Sequence, residues 1–185
     1  MRRFMRVVLC LCLMTLHCVA MQMPPTVTRE QAEAALQAAF SVLGAPYVWG
    51  GQDPSGFDCS GLAIWAYNHA VPGIHWYTGD SFVDDTTAHM LFVYNVKPLR
   101  AREVWPGDLV FVTSSTNRVT HMGLFSRWLD DRRTTFEWIE ASSVRKSVVV
   151  STWTRGEEDP EKMLVAVGRV LLWPWEETEA EEERQ

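Results

Sequence analysis

Cys59 is the residue whose type and setting point most directly to chemistry. It lies in the run Phe57-Asp58-Cys59-Ser60-Gly61, where a glycine-rich loop meets the start of a predicted helix. The free N–H groups and the dipole of a helix N-terminus stabilise negative charge, so they favour a thiolate at this position. The same N–H groups are suited to hold the oxyanion that forms when a thiolate attacks an amide carbonyl. The pattern predicts a nucleophilic cysteine; a buried structural thiol is the alternative interpretation.

The other cysteines offer Cys59 no partner in a processed chain. Cys10, Cys12 and Cys18 all lie within the first 20 residues, which have the pattern of a secretory signal peptide. After cleavage a single thiol remains, which argues against an internal disulfide or a cysteine-rich zinc site. In an oxidising compartment a lone thiol is a liability unless it is buried or used for chemistry.

A cysteine nucleophile needs a general base. The histidines beyond residue 20 are His69, His75, His89 and His121. His69 lies near the end of a predicted helix, where a cation is favourable without any catalytic role, and His75 and His89 are interpreted as surface residues. His121 lies at the start of the apolar strand 120–125, and a glycine two residues later leaves space beside it. We predict His121 as the base, although a strand histidine is more often a structural residue.

A third group normally orients the base. Glu137 and Glu140 lie on the next predicted strand, after a charged hairpin tip at residues 130–133. Side chains alternate along a strand, so these two carboxylates point to opposite faces. The hairpin brings this strand beside that of His121, so one carboxylate is expected to reach the imidazole. The residue pattern alone does not choose between them, and both are otherwise ordinary surface charges.

Two helices are predicted ahead of the strands. The first begins at a capping box of Thr28 with Gln31 and runs over residues 31–43. The second runs over residues 60–69, which places the cysteine at its N-terminus. A third, short helix is predicted over residues 81–92.

Beyond Pro106-Gly107 the pattern changes to short runs rich in β-branched and aromatic residues, separated by turn-like clusters. The predicted strands cover residues 109–113, 120–126, 134–141, 147–152 and 164–172. Helices followed by strands predict an α+β domain with an antiparallel sheet. We place this domain at residues 28–175, with a lead-in over 21–27 and an acidic tail over 176–185.

The N-terminus is predicted to be a targeting segment. Residues 1–20 combine an arginine-containing start, an apolar run over residues 7–16 and small residues at a cleavage position after Ala20. The run is too short for a comfortable membrane span of about 20 residues. We therefore expect export to the periplasm or cell envelope. The alternatives are an uncleaved anchor and lipidation at Cys18, against which the bulky His17 argues.

Composition limits the class of protein. The chain has 185 residues, of which 47% are hydrophobic and 22% charged, and its formal net charge is -6. These values are typical of one globular domain and argue against a chain that is disordered throughout. Because lysines and arginines are not clustered in an acidic chain, we expect no nucleic-acid partner. No second apolar run is long enough for a membrane span, so we expect no stable insertion after signal cleavage.

Four motifs, in their order and spacing, resemble the NlpC/P60 family of cell-wall peptidases. They are Tyr47-Val48-Trp49-Gly50-Gly51, Asp58-Cys59-Ser60-Gly61-Leu62, Pro106-Gly107-Asp108-Leu109-Val110-Phe111 and His121-Met122-Gly123-Leu124-Phe125. The likeness runs from about Thr28 to about Trp173. It implies a papain-like α+β fold, with N-terminal helices packed on a small antiparallel sheet, and chemistry without a metal or an organic cofactor.

The resemblance also implies roles for single residues. It makes Cys59 the nucleophile and His121 the base. Tyr47 matches a tyrosine that lies beside the cysteine and helps to shape the oxyanion site, while Asp58 and Ser60 match residues that frame the cysteine and the substrate. Family members typically cut peptidoglycan stem peptides between D-γ-glutamyl and the following diamino acid. We expect the protein to act on such peptides as a monomer.

The third catalytic position departs from the usual family pattern. In many relatives a histidine stands before an alanine in the strand, whereas here the run Ile139-Glu140-Ala141 puts Glu140 in that place. A carboxylate can accept the imidazole N–H and should favour a thiolate–imidazolium pair more than a neutral group would. Trp49, close to Cys59 in the sequence, is expected to line the cleft because peptides and sugars pack well on aromatic faces.

Two other functions fit the same motifs. One is a non-catalytic peptidoglycan-binding or scaffold protein on this fold, which the altered third position favours and the intact Cys59–His121 pair opposes. The other is a related amidase, an acyltransferase or a toxin-like hydrolase that uses the same cysteine chemistry on another bond.

Overall fold

The structure of the protein is a computed structural model that describes residues 23–114, 118–156 and 163–174, without the side chain of Val165. The predicted signal peptide, with Cys18, and the acidic tail over 176–185 lie outside the described residues. Within these ranges, no helix is long and apolar enough to cross a membrane.

Six strands form the main sheet, in which every neighbouring pair is antiparallel. Their order is β5 (Val96–Pro98), β10 (Met163–Val170), β6 (Leu109–Thr113), β7 (Val119–Trp128), β8 (Thr135–Ser142) and β9 (Ser147–Thr154). Two ribbons pair β1 (Gln52–Asp53) with β2 (Gly56–Phe57), and β3 (Trp76–Tyr77) with β4 (Phe82–Val83). The predicted α+β class with an antiparallel sheet is confirmed.

Two long helices precede this sheet, as the sequence predicts. Helix α1 (Arg29–Ser41) begins at the predicted capping box, in which the Thr28 hydroxyl accepts the Gln31 N–H at 3.2 Å. The Gln31 side chain in turn accepts the Thr28 N–H at 2.8 Å, so two N–H groups of the first turn are satisfied. Helix α2 (Cys59–Ala70) starts at the cysteine.

The prediction of a helix over residues 81–92 is wrong at its N-terminal end. Helix α3 (Ala88–Tyr94) begins only after Thr87, whose hydroxyl caps it by accepting the Met90 N–H at 3.3 Å. Residues 82–83 instead form β4 and pair with β3. A two-residue strand has no periodicity of its own, so its pairing across the turn decides its conformation.

The sheet is buried on both faces. In β6, Leu109 and Phe111 point to the core formed with α1 and α2, whereas Val110 and Val112 point to a second cluster on the opposite face. Aromatic side chains, among them Trp138, fill much of that second cluster. This arrangement makes the central strands a rigid platform for any side chain that projects from their ends.

The Pro106-Gly107-Asp108 motif has a structural function at the edge of this platform. The buried Asp108 carboxylate accepts two hydrogen bonds from Arg169 on β10, at 3.0 and 2.9 Å. Burial raises the pKa of Asp108, although the bonds from Arg169 oppose that shift. The Arg169 guanidinium also stacks on Trp105, 3.3 Å from the ring centroid. The motif therefore joins β6 and β10 rather than contributing to the cleft.

Candidate active site

Asp58 fixes the start of the cysteine helix. Its Oδ1 accepts the Gly61 N–H at 2.7 Å and the Ser60 hydroxyl at 3.1 Å, and its Oδ2 accepts the Gly50 N–H at 3.0 Å. An N-cap of this kind is worth about 1 kcal/mol to a helix. The Asp58 carboxylate is thus engaged in positioning the loop and the helix around Cys59.

A close backbone approach presses the glycine-rich loop against this helix. A Cβ atom at Gly61 would overlap the carbonyl group of Gly51, and the Asp58 N–H donates to the same carbonyl oxygen at 2.9 Å. A side chain at position 61 would push the loop away from the first turn of α2. The small residues of the motif therefore hold Tyr47, at the far end of the loop, beside Cys59.

His121 and Glu140 meet across neighbouring strands. The Nε2 atom of His121, on β7, lies 2.5 Å from Oε2 of Glu140, on β8. The Glu140 side chain is 9% exposed and that of His121 is 17% exposed. The other carboxylate of the strand, Glu137, faces away and pairs with Arg127 at 3.2 Å. The structure thus brings Glu140, and not Glu137, to the imidazole.

The imidazole of His121 interacts with groups on both of its sides. Burial disfavours the charged ring, but hydrogen bonds with Cys59 and with Glu140, together with their charges, outweigh it and raise the pKa of His121 to about 9. Because Nε2 is occupied by Glu140, Nδ1 is left for the thiol. The Cys59 and Glu140 side chains therefore hold the proton on the imidazole.

Ser151 completes this chain of contacts and is a residue that sequence reasoning missed. Its hydroxyl, on β9, donates to Oε1 of Glu140 at 2.6 Å in a buried setting. The sequence does hint at Ser151, because it is a polar residue in an otherwise apolar β-branched run that follows the Glu140 strand. Recognising it required the register of the β8–β9 hairpin, in which Glu140 lies opposite Val149.

Trp138 packs against the imidazole from the second face of the sheet. Its ring meets that of His121 edge to face, with centroids 5.5 Å apart. The space predicted beside His121 is therefore occupied, because a Cβ atom at Gly123 would contact this same indole and the carbonyl of Ile139. Gly123 thus leaves room for the Trp138 indole, which packs against the imidazole and limits its motion.

A cleft of about 660 Å³ opens onto this cluster. All the predicted site residues line it: Tyr47, Trp49, Asp58, Cys59, Ser60, His121 and Glu140. Burial, and then the nearby charges of Cys59 and Asp58, raise the pKa of Tyr47, so its hydroxyl remains a proton donor at neutral pH. Trp49 is 88% exposed, which places it at the mouth of the cleft.

The remaining histidines lie apart from the thiol–imidazole contact. His69 Nδ1 lies 2.8 Å from the carbonyl oxygen of Trp65 within α2, and His75 lies 3.4 Å from Asp84. The interpretation of His89 as a surface residue is wrong, because it is half-buried in the wall of the cleft. It lies in the first turn of α3, which packs against β7 and α2.

Sequence comparisons identify relatives over the same region. The NlpC/P60 family model matches residues 44–161. A probable endopeptidase of Mycobacterium tuberculosis is 34% identical over 92 residues, which are 50% of this chain and 20% of that protein. The murein DD-endopeptidase MepH of Escherichia coli is 32% identical over 99 residues, 52% of this chain and 34% of that protein. The chain thus spans about a fifth to a third of the length of these relatives.

Solved structures share the fold. NlpC1 from Trichomonas vaginalis superposes with a TM-score of 0.56 at 21% identity, over 83% of this chain and 48% of that one. An NLP/P60 protein similar to a lipoprotein, from Staphylococcus aureus, gives 0.56 at 22% identity, over 80% and 44% of the two chains. The matched region holds the glycine-rich loop, the cysteine helix and the strands of His121 and Glu140. Since the family model covers more than half of its length, the chain belongs to the NlpC/P60 family.

Proposed function

We propose that this protein is a cysteine peptidase that hydrolyses the stem peptides of peptidoglycan. The observation that carries the proposal is the contact of a thiol at a helix N-terminus with an imidazole that is hydrogen-bonded to a buried carboxylate, all facing one cleft. Membership of the family and the murein endopeptidase among the relatives support this substrate class.

The proposed reaction is acyl transfer through Cys59. The thiolate attacks the scissile carbonyl, and the N–H groups at the start of α2, together with the Tyr47 hydroxyl, stabilise the oxyanion. Collapse of this intermediate breaks the C–N bond while the His121 imidazolium gives its proton to the leaving amine. The neutral imidazole then takes a proton from water, which attacks the thioester and releases the acid, and the thiolate–imidazolium pair is restored.

Glu140 is proposed to orient the imidazole and to stabilise its charged form. A carboxylate 2.5 Å from Nε2 fixes the tautomer that leaves Nδ1 facing the thiol. Because the Glu140 side chain is almost fully buried, its charge acts on His121 with little screening by water. A carboxylate at this position thus holds the proton on the His121 imidazole more tightly than the neutral third residue of the usual family pattern would.

Removal of the Tyr47 hydroxyl tests its part in the oxyanion site. We expect Tyr47→Phe to lower kcat by about 10- to 100-fold, with little change in KM, because the donor acts mainly in the transition state. The phenyl ring keeps the packing beside Cys59. Steady-state kinetics on a soluble stem peptide measure the effect. An unchanged kcat, or a loss seen only in KM, would remove Tyr47 from this role.

Ser151 is proposed as a positioning residue that acts through Glu140. We expect Ser151→Ala to lower kcat by about fivefold to tenfold, because the carboxylate loses a buried hydrogen bond and some of its fixed orientation. Ser151→Thr keeps the hydroxyl on a residue that suits a strand and should retain most of the activity. Kinetics on both variants, together with their thermal melting temperatures, separate positioning from stability. Equal losses of activity in the two variants would argue against the hydrogen bond as the cause.

Within peptidoglycan we propose the D-γ-glutamyl–diamino acid bond as the site of cleavage. The proposal depends on the resemblance to the family and on a cleft of about 660 Å³ that has an exposed aromatic residue, Trp49, in its wall. Mass spectrometry of fragments from purified peptidoglycan identifies the bond. Sugar fragments that carry only L-Ala-D-Glu, together with free peptides that begin at the diamino acid, would indicate the γ-glutamyl bond, whereas release of whole stems from the sugar would indicate an amidase. A folded protein that binds peptidoglycan without releasing fragments would be a binding or scaffold protein.

Export is part of this proposal, because peptidoglycan lies outside the cytoplasm. The predicted signal peptide over 1–20 and the domain bounds 28–175 remain predictions from the sequence. Sequencing the N-terminus of the secreted protein would test cleavage after Ala20.

A further inference from the structure

A second cavity adjoins His121. It has a volume of about 350 Å³ and shares His121 and Glu140 with the main cleft, but its walls include neither Cys59 nor Tyr47. The imidazole therefore borders both spaces. The size is sufficient for one amino-acid residue of a peptide substrate.

The proposed reaction indicates which part of the substrate lies in the main cleft and which lies beside the imidazole. During acylation the acyl part of the substrate stays bonded to Cys59, on the side of the main cleft. The leaving amine takes its proton from His121, so the leaving residue must lie beside the imidazole. The second cavity borders the same imidazole, so a residue attached to this amine has a space to enter there.

Arg145 gives this cavity a positive group. It lies in the turn between β8 and β9, where its backbone N–H donates to the Ser142 hydroxyl at 3.2 Å and its Nη1 donates to the carbonyl oxygen of Val150 at 3.2 Å. Among the residues that the structure describes, no carboxylate lies within 4.0 Å of its guanidinium, whereas the exposed Arg29 and Arg127 each form an ion pair.

The rest of the wall is suited to an anion beside an uncharged chain. Hydroxyl groups of Ser142 and Thr152 line the cavity together with the indole rings of Trp138 and Trp153, whereas the Ser151 hydroxyl in the same wall already donates to Glu140. The nearby charge of Glu140 is balanced by the imidazolium to which it is bonded. The lining thus offers one uncompensated cation, two hydroxyl groups and an apolar side.

We propose that this cavity is the subsite for the leaving residue of the substrate, and that Arg145 binds a carboxylate of that residue. The inference rests on the proposed peptidase function. Two carboxylates are candidates: the main-chain carboxylate when the leaving residue is the last of the peptide, and a side-chain carboxylate when it is a diamino diacid. Both are recognised by the same planar guanidinium.

Four matched peptides distinguish the main-chain carboxylate from the side-chain carboxylate of the leaving residue. Each carries the same L-Ala-γ-D-Glu acyl part, and the leaving diamino diacid has both carboxylates free, only one amidated, or both amidated. For the wild type we expect kcat/KM to fall by about tenfold when the bound carboxylate is amidated, in the range of a partly exposed charge-assisted hydrogen bond. Amidation of the other carboxylate should change kcat/KM by less than about twofold.

Arg145→Ala tests the assignment to this residue. It should lower kcat/KM for the free peptide by about tenfold and abolish the difference between free and amidated peptides. Lys146→Ala is the matched control, because Lys146 is the adjacent cation of the same turn and does not line the cavity. It should keep the wild-type discrimination.

Several results would overturn the proposal. They are equal rates of the wild type on all four peptides, an equal loss on all four in Arg145→Ala, or loss of discrimination in Lys146→Ala to the same extent. A wild type that cleaves none of the peptides while its thiol remains reactive would instead refute the peptidase function itself. The two failures are therefore distinguishable in one set of reactions.

Discussion

Replacement of Cys59 by alanine is expected to abolish hydrolysis of stem peptides, with a fall in kcat of about 10⁴-fold or more. The variant loses the sulfur atom that we propose as the nucleophile, and no other thiol lies among the described residues. The fold should persist, because the helix cap is supplied by the Asp58 side chain and the backbone N–H of residue 61. Thermal melting close to that of the wild type would establish this.

Two further variants make the Cys59 experiment specific. Cys59→Ser places a hydroxyl at the same position, and we expect it to be nearly inactive because a hydroxyl is far harder to ionise than a thiol. Ser143→Ala changes another residue of the cleft wall and should retain at least about half of the wild-type activity. Substantial hydrolysis by pure Cys59→Ala would contradict the assignment of the nucleophile.

Replacement of Glu140 by glutamine is expected to give the second largest effect, a fall in kcat of about 10²- to 10⁴-fold. The amide is close in size to the carboxylate but no longer carries the charge that stabilises the imidazolium. Its NH2 group, when turned toward Nε2, places a hydrogen-bond donor where the carboxylate had an acceptor. Glu137→Gln is the matched control on the same strand, since that side chain faces Arg127 and not the imidazole. We expect its activity to stay within about twofold of the wild type.

The pH dependence of these variants follows from the direction of the His121 shift. The pKa of His121 is raised to about 9 in the folded protein, so the stabilisation from the imidazolium is fully present below its ordinary value and is lost as the pH rises through about 9. Activity of the wild type should therefore fall on the alkaline side near that pH. In Glu140→Gln the alkaline limb should move to lower pH.

The profile reports the thiol and the imidazole as a coupled pair, so the limbs are apparent values of that pair. The comparison between variants measures the contribution of Glu140 under the same coupling. Profiles of kcat/KM for the wild type, Glu140→Gln and Glu137→Gln provide it. Alkaline limbs at the same pH in all three proteins would exclude Glu140 as the group that holds the proton on His121.

Long elements with a local signal were predictable from the sequence. The capping box located the start of α1, and the helix expected over 60–69 is observed as α2, which starts at Cys59. The predicted strands overlap β6 to β10, because runs of β-branched and aromatic residues are bounded there by turn residues. The β5 strand and the two ribbons were missed, since two or three residues are too short to show a period.

Contacts between strands were predictable only in part. Alternation along β8 separates Glu140 from Glu137, but only the observed pairing of the strands shows which of them reaches His121. The Ser151 contact depends on the register of a further hairpin. Arg145 is placed by the turn that joins β8 and β9, where no hydrophobic period constrains the chain. These features depend on tertiary geometry, and so the sequence pattern alone could not provide them.

Partition of the reaction by hydroxylamine tests the covalent cysteine mechanism most directly. If Cys59 forms a thioester with the γ-glutamyl group, hydroxylamine competes with water for this intermediate and gives the γ-hydroxamate of L-Ala-D-Glu. We expect mass spectrometry to detect this hydroxamate with the wild type, in proportion to the hydroxylamine concentration, and not with Cys59→Ala. Hydrolysis of the peptide without hydroxamate at any concentration, or an equal yield of hydroxamate with Cys59→Ala, would contradict the account.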